Sequence, residues 1–120
     1  KVNRMVAAVD CGQVVNRDSV VAQMEGAVVM GISAALKESV SFAKGGVATS
    51  NFSDYPLLTI SEVPEIQVIL VANGDKMGGI GEPGIPTVAP AIGNAVFAAT
   101  GVRLRSLPLS PDSVKKALQG

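Results

Sequence analysis

The sequence predicts an α/β (α+β) fold: a two-layer sandwich of a mixed sheet with two main helices and a short C-terminal helix. Three observations carry that expectation. Val20, Met24, Ala27, Val28, Gly31, Ile32 and Ala35 recur with the 3.6-residue period of one helix face. Glu65-Ile-Gln-Val-Ile-Leu-Val71 is the clearest strand, dense in β-branched residues. The charge-free stretch 83–102 supplies a second apolar helix behind a glycine-rich loop. Residues 1–120 are read as a single domain, because no repeat or low-complexity linker divides them and the length suffices for one core.

In chain order, Arg4-Met-Val-Ala-Ala-Val-Asp10 is a short apolar strand, broken by the turn Cys11-Gly12-Gln13. Asn16 or Asp18 caps the first helix, whose small residues Gly26, Ala27 and Gly31 permit close approach of another backbone. Residues 39–43 and 47–50 form a hairpin around Lys44-Gly45-Gly46. Residues 51–61 are irregular or extended, and the strand 65–71 leads into the glycine-rich loop 73–84. Thr87 opens the second helix, Pro90 is tolerated in its first turn and Gly101 ends it. Ser110 and Pro111 stand as N-cap and N1 of the last helix, through Lys115 to Leu118.

Apolar residues make up 48% of the chain and charged ones 17%, against about 25% in typical soluble domains. Such a surface suits coverage by other protein. Ten basic residues balance ten acidic ones, and 3% aromatics with no Trp argue against nucleic acid as a partner. A single cysteine, Cys11, and no histidine exclude a disulfide framework, a Cys/His zinc site within this chain and Ser-His-Asp chemistry. No metal-ligating side chains are therefore expected; a cofactor would be held by backbone, amide and carboxylate groups or by another polypeptide. The start at Lys1-Val2-Asn3 reads as part of something longer. Stretch 83–102 approaches membrane-span length, but Pro83, Pro86, Pro90 and Asn94 favour a buried soluble helix, so no membrane span is expected.

The candidate chemistry centres on Gly78-Gly79-Ile80-Gly81-Glu82-Pro83-Gly84. Glu82 is followed by no charge until Arg103, which suggests a carboxylate held in a buried site, with a partner or a task. Glycines 78, 79 and 81 leave their N–H groups open to a ligand, and Pro83 biases Glu82 toward extended backbone. An exposed turn with a solvated glutamate explains the same residues. The loop is not a P-loop, lacking Gly-Lys-Ser/Thr, and prolines 83 and 86 spoil it as a dinucleotide fingerprint. Gln23 lies beside the apolar stripe, where its amide serves either a polar ligand or the surface. Asp10, Cys11 and Asn16 suit turn, buried-thiol and capping roles, and Asn51-Phe52-Ser53-Asp54-Tyr55-Pro56 either meets a neighbouring domain or is an ordinary loop.

Six segments, in order, resemble the C-terminal part of the molybdenum cofactor-binding large subunit of the xanthine oxidase and aldehyde oxidase family, closest to its isoquinoline 1-oxidoreductase beta-subunit branch. They are Val9-Asp10-Cys11-Gly12-Gln13-Val14-Val15-Asn16, Gln23-Met24-Glu25-Gly26, Asn51-Phe52-Ser53-Asp54-Tyr55-Pro56, Gly79-Ile80-Gly81-Glu82-Pro83-Gly84-Ile85-Pro86, Ala89-Pro90-Ala91-Ile92-Gly93-Asn94-Ala95 and Ala99-Thr100-Gly101-Val102-Arg103. Arg17 departs from the family's pattern, in which Pro usually follows the Asn. The resemblance implies a molybdenum hydroxylase that oxidises an N-heterocyclic aromatic or an aldehyde at an electrophilic carbon, with water as oxygen source. It makes Glu82 the general base and Gln23, Gly79 and Gly81 cofactor-binding residues. The implied cofactor is a molybdenum–pterin in its cytosine dinucleotide form, with iron–sulfur clusters on a small partner subunit and further pterin contacts upstream in the same subunit. The isolated chain is then expected to be inactive. Cytoplasm and periplasm both remain open. The rival from another class is a non-catalytic packing or interaction module of a larger assembly.

Overall fold

A computed structural model describes residues 1–71, 74 and 76–120. Part of the expected loop 73–84 thus lies outside the described residues, at Asn73 and Asp75.

Strand β1 (Arg4–Val9) leads through the Cys11 turn into α1 (Arg17–Leu36). Asn16 is the cap: its side chain accepts a hydrogen bond from the Ser19 amide at 3.0 Å, satisfying one of the amides a helix start leaves without a partner. Next come a hairpin of β2 (Phe42–Ala43) and β3 (Gly46–Val47), a 3-10 turn (Ile60–Glu62) and β4 (Glu65–Leu70). Helices α2 (Val88–Thr100) and α3 (Pro111–Gln119) complete the chain. Gly101 closes α2 with φ 74°, the left-handed backbone that glycine tolerates. Ser110 caps α3 by accepting from the Ser113 amide.

The α+β class, two main helices and short third helix are as the sequence expects. Parallel and antiparallel pairing both occur, but in separate two-stranded sheets. β1 and β4 run parallel from Arg4↔Glu65 to Val9↔Leu70, with α1 in the crossover that parallel strands require. β2 and β3 form only a two-residue antiparallel ladder, shorter than the expected 39–43 and 47–50. The reason is solvation: Phe42 and Val47, opposite each other, are both exposed, so no face holds a longer ladder.

The core lies where α1 crosses α2. Val28, Ile32 and Ala35 meet Val88, Ile92 and Leu109, with Met5, Ala7 and Ile66 of the parallel strands packed against them. The expected stripe on α1 is buried except at Val20, which is half-buried; the structure adds Ser33, whose hydroxyl oxygen accepts from the Leu58 amide at 3.0 Å. Ala27 and Gly31 do admit close neighbours. Gly26 does not: it is exposed, with open space beside it. Within 83–102 the helix has only 13 residues. Among the described residues α1 is the one helix long and apolar enough by composition to cross a membrane, and its Val28–Ile32–Ala35 face is packed in this core.

Candidate functional site

The glycine-rich loop is tied to the chain at three levels. Its base rests on the turn after β1. There the Asp10 carboxylate accepts from the Gly12 amide at 3.0 Å, and the Gly78 amide donates to the Cys11 carbonyl at 2.8 Å. Gly12 has φ 70°, and a Cβ on it would stand 1.7 Å from the Lys76 carbonyl oxygen, so only glycine fits. This anchor on Cys11 has no local signature in the sequence, because it uses main-chain atoms of residues far apart in the chain.

The middle of the loop is held by a side chain. Gln23 Nε2 donates to the Gly81 carbonyl at 2.7 Å, across 58 residues of sequence. Glu82-Pro83-Gly84-Ile85 then closes a turn, the Ile85 amide donating to the Glu82 carbonyl at 3.0 Å, with the fixed φ of Pro83 at the second position. The Thr87 hydroxyl donates to the Gly84 carbonyl at 3.0 Å, so Thr87 stands at the start of α2 with its side chain turned back to the loop.

The exit of the loop lies against α1. A Cβ on Gly84 would come within 2.8 Å of Ala27 Cβ and 3.0 Å of Met24 Cε. One turn further along α1, a Cβ on Gly31 would meet Val88 at 2.6 Å. Gln23, Ala27 and Gly31 follow one another at four-residue intervals, one face of the helix, and the loop runs along that face from Gly81 to Val88.

The sequence-selected residues Gln23, Gly81 and Glu82 are therefore brought together. Glu82 itself corrects an expectation: its residue is exposed, not buried. The ion pairs found among the described residues are Arg4–Glu65 and Lys37–Glu62, so none of these pairs holds Glu82. Four glycines near it contribute no side chains to wall it in. Beside Gly79 and Gly81 a Cβ would meet nothing within 4 Å, which leaves room there for a ligand or for solvent.

Other candidates have structural work. The Cys11 thiol is buried and unpaired with any other cysteine. Asp54 accepts hydrogen bonds from the Ser50 and Asn51 amides and the Ser50 hydroxyl, and the Asn51 and Ser50 bonds hold its carboxyl below the usual carboxylate range. That turn carries Phe52 outward, 74% exposed. Glu62, which sequence reading passed over, is pulled down to about 2 by the Lys37 ammonium at 2.6 Å and by the Thr59 amide and hydroxyl. An open apolar cleft of about 970 Å³ lies elsewhere, between the start of β1, the end of α1, α2 and α3. Its walls include Val2, Met5, Ile32, Leu36 and Val96 but neither Gln23 nor Glu82, so it is not the place where the loop would act.

A family model described as a molybdopterin cofactor-binding domain matches residues 1–64, just over half of the chain. The chain is 49% identical over 110 residues to the isoquinoline 1-oxidoreductase subunit beta of Brevundimonas diminuta, covering 92% of this chain and 14% of that protein. It is 40% identical over 116 residues to the membrane-bound aldehyde dehydrogenase (pyrroloquinoline-quinone) of Gluconacetobacter polyoxogenes, covering 97% and 15%. Among solved structures, the aldehyde oxidoreductase of Desulfovibrio gigas superposes with a TM-score of 0.87 at 27% identity, covering 98% of this chain and 13% of that one. The chain thus spans 14–15% of the length of these two sequence relatives.

Proposed function

The chain belongs to the molybdopterin cofactor-binding domain family, and on that footing we propose that it forms part of the catalytic subunit of a molybdenum-dependent oxidoreductase, with Glu82 as its general base. The observation that carries the reading is the Gln23–Gly81 hydrogen bond, which joins the proposed cofactor-side amide to the peptide unit that Glu82 shares. The substrate class is an N-heterocyclic aromatic or an aldehyde, oxidised at an electrophilic carbon with water as oxygen source. The names of the relatives, one a heterocycle oxidoreductase and two that act on aldehydes, support both.

The residues present fit a pterin-held metal. Around the loop stand backbone amides and the carboxamide of Gln23, which keeps an oxygen acceptor and a second N–H after bonding Gly81. Among the described residues no three His, Cys, Asp or Glu side chains gather as a metal site would need. Such donors suit the ring heteroatoms of a pterin rather than a bare ion. The family description names a pterin, and it is this name, rather than the quinone printed for one relative, that sets the cofactor here. In this reading Gln23, Gly79 and Gly81 line the cofactor, in its cytosine dinucleotide form. When bound, the group supplies the two-electron redox centre, and iron–sulfur clusters on a partner subunit take the electrons onward.

Glu82 is the one carboxylate in the glycine stretch 78–84, and its task is to accept a proton as the carbon is hydroxylated. Its exposure in this chain fits a site whose other walls belong to the rest of a larger subunit. Enclosure by those walls would desolvate the carboxylate and strengthen it as a base. The chain by itself then neither retains the cofactor nor turns over; stoichiometric molybdenum and dye-coupled oxidation by the isolated chain would count against this. In the full-length protein, Glu82→Gln should keep its molybdenum and lose nearly all turnover, since an amide cannot accept the proton. Near-normal turnover removes Glu82 as the base. Lost assembly, with unchanged turnover per assembled molecule, would favour a packing module instead.

A further inference from the structure

We infer that Gln23 is a positioning residue for Glu82, and that the Gln23–Ala27–Gly31 face of α1 is the template that aims the carboxylate. The inference rests on Glu82 being the base and adds what holds it in place. The Gly81 carbonyl and the Glu82 amide belong to one planar peptide unit, so fixing that oxygen fixes the plane from which the Glu82 Cα departs. Gln23 Nε2 does so at 2.7 Å. The residue that gives the carbonyl is Gly81, whose backbone would otherwise turn freely, and the residue after Glu82 is Pro83, which restricts Glu82 from the other side.

The template continues beyond the hydrogen bond. The turn Glu82–Ile85 is closed by its own 3.0 Å bond, and Gly84 lies so near Ala27 that no Cβ fits between them. Val88, the first residue of α2, seats over Gly31. Glu82 is thus referred to α1 on both sides, by a polar tie before it and a steric one after it. Its own side chain is exposed and needs external reference of this kind, because a misplacement of about 1 Å can lower a rate on the order of 100-fold.

The test uses the full-length holoenzyme with three sets of variants. Gln23→Met keeps the side-chain length and removes the donor. It should lower kcat per bound molybdenum by roughly 10- to 100-fold with KM little changed. Hydrogen exchange at the Ile85 amide should quicken on the order of 10-fold as the loop loosens. Expressing the rate per bound molybdenum separates positioning from any weaker retention of cofactor. Gly84→Ala should also lower kcat per folded, molybdenum-loaded molecule, and adding Ala27→Gly, which deletes the colliding Cβ, should restore most of it; a merely structural lesion at Gly84 would lower the yield and thermal stability of the enzyme and leave the rate per folded molecule level. An unchanged rate per molybdenum, an unchanged Ile85 exchange in Gln23→Met, or no recovery in the Ala27→Gly pair overturns the inference while Glu82→Gln remains dead. Near-normal turnover of Glu82→Gln overturns the base, and this positioning role with it.

Discussion

The two halves of α1 meet the rest of the chain by different physics. Toward the N-terminus, Gln23, Met24 and Ala27 touch the loop through one hydrogen bond and the near-contact of small groups. Toward the C-terminus, Val28, Ile32 and Ala35 are buried in the core, Ile32 only 1% exposed, while Ser33 and Lys37 hold the backbone and carboxylate of the segment 57–62. To the burial of Met24 and Ala27, 4% and 3% exposed, the first half adds a polar and a steric tie to the loop. The second removes area from water, which is where stability comes from. One helix can therefore be changed at one end with the rate as the readout and at the other with stability as the readout.

The largest expected effect lies at the loop. Glu82→Gln should cut turnover by about 10²- to 10⁴-fold, the usual contribution of a general base, without altering hydrogen exchange of the α1 amides. If exchange along α1 rises together with the loss, the two halves are not separable. At the other end, Ile32→Ala should destabilise the domain by about 2–5 kcal/mol, from lost transfer energy and an unfilled cavity. Exchange of the slowest α1 amides measures it, and turnover per folded molecule should stay level. Gly31→Ala falls on the boundary. Its new Cβ would lie 2.6 Å from Val88, an overpacking of about 1–3 kcal/mol, and because Val88 follows the loop turnover should fall as well. A change in only one of these observables would move the boundary between the halves.

The smallest effect is a pH dependence confined to the stabilising end. Glu62 sits at about 2 in the folded chain against an ordinary 4.5, so its depressed value contributes stability above about 4.5 that is lost as pH falls toward 2. Lys37→Met should flatten that part of the stability-against-pH curve, followed by exchange at the α1 C-terminus, and leave the curve above pH 5 unchanged in shape. The pair is partly exposed, so the change is modest and weakens with salt.

Much of the fold was legible because local periodicity and punctuation carry it. The Asn16 cap, the buried stripe of α1, the Gly101 stop and the Ser110–Pro111 start all stand where spacing and residue chemistry put them. The hairpin ladder is two residues long, shorter than its residue pattern predicts. Phe42 and Val47 have the apolar character of strand residues, yet they stand 76% and 60% exposed. Low charge content pointed the same way, toward surfaces covered by other protein. The stretch 78–84 with Glu82 as its single acid can be picked out from the sequence, but the expectation of burial fails there, since burial depends on what surrounds a residue in space.

By itself the sequence determined which residues are helical, which α1 face is apolar and that a lone glutamate follows a run of glycines. Those properties depend on neighbours within a few positions, where steric and hydrogen-bonding rules are short-ranged. Only the tertiary structure decided that Gln23 reaches Gly81, that Gly78 rests on Cys11 and that Gly84 lies against Ala27. Spacing encodes a period but not a partner. Which surfaces meet is settled when α1 crosses the parallel strands and α2 closes over it, and it is that packing which lays the Glu82 loop along the helix.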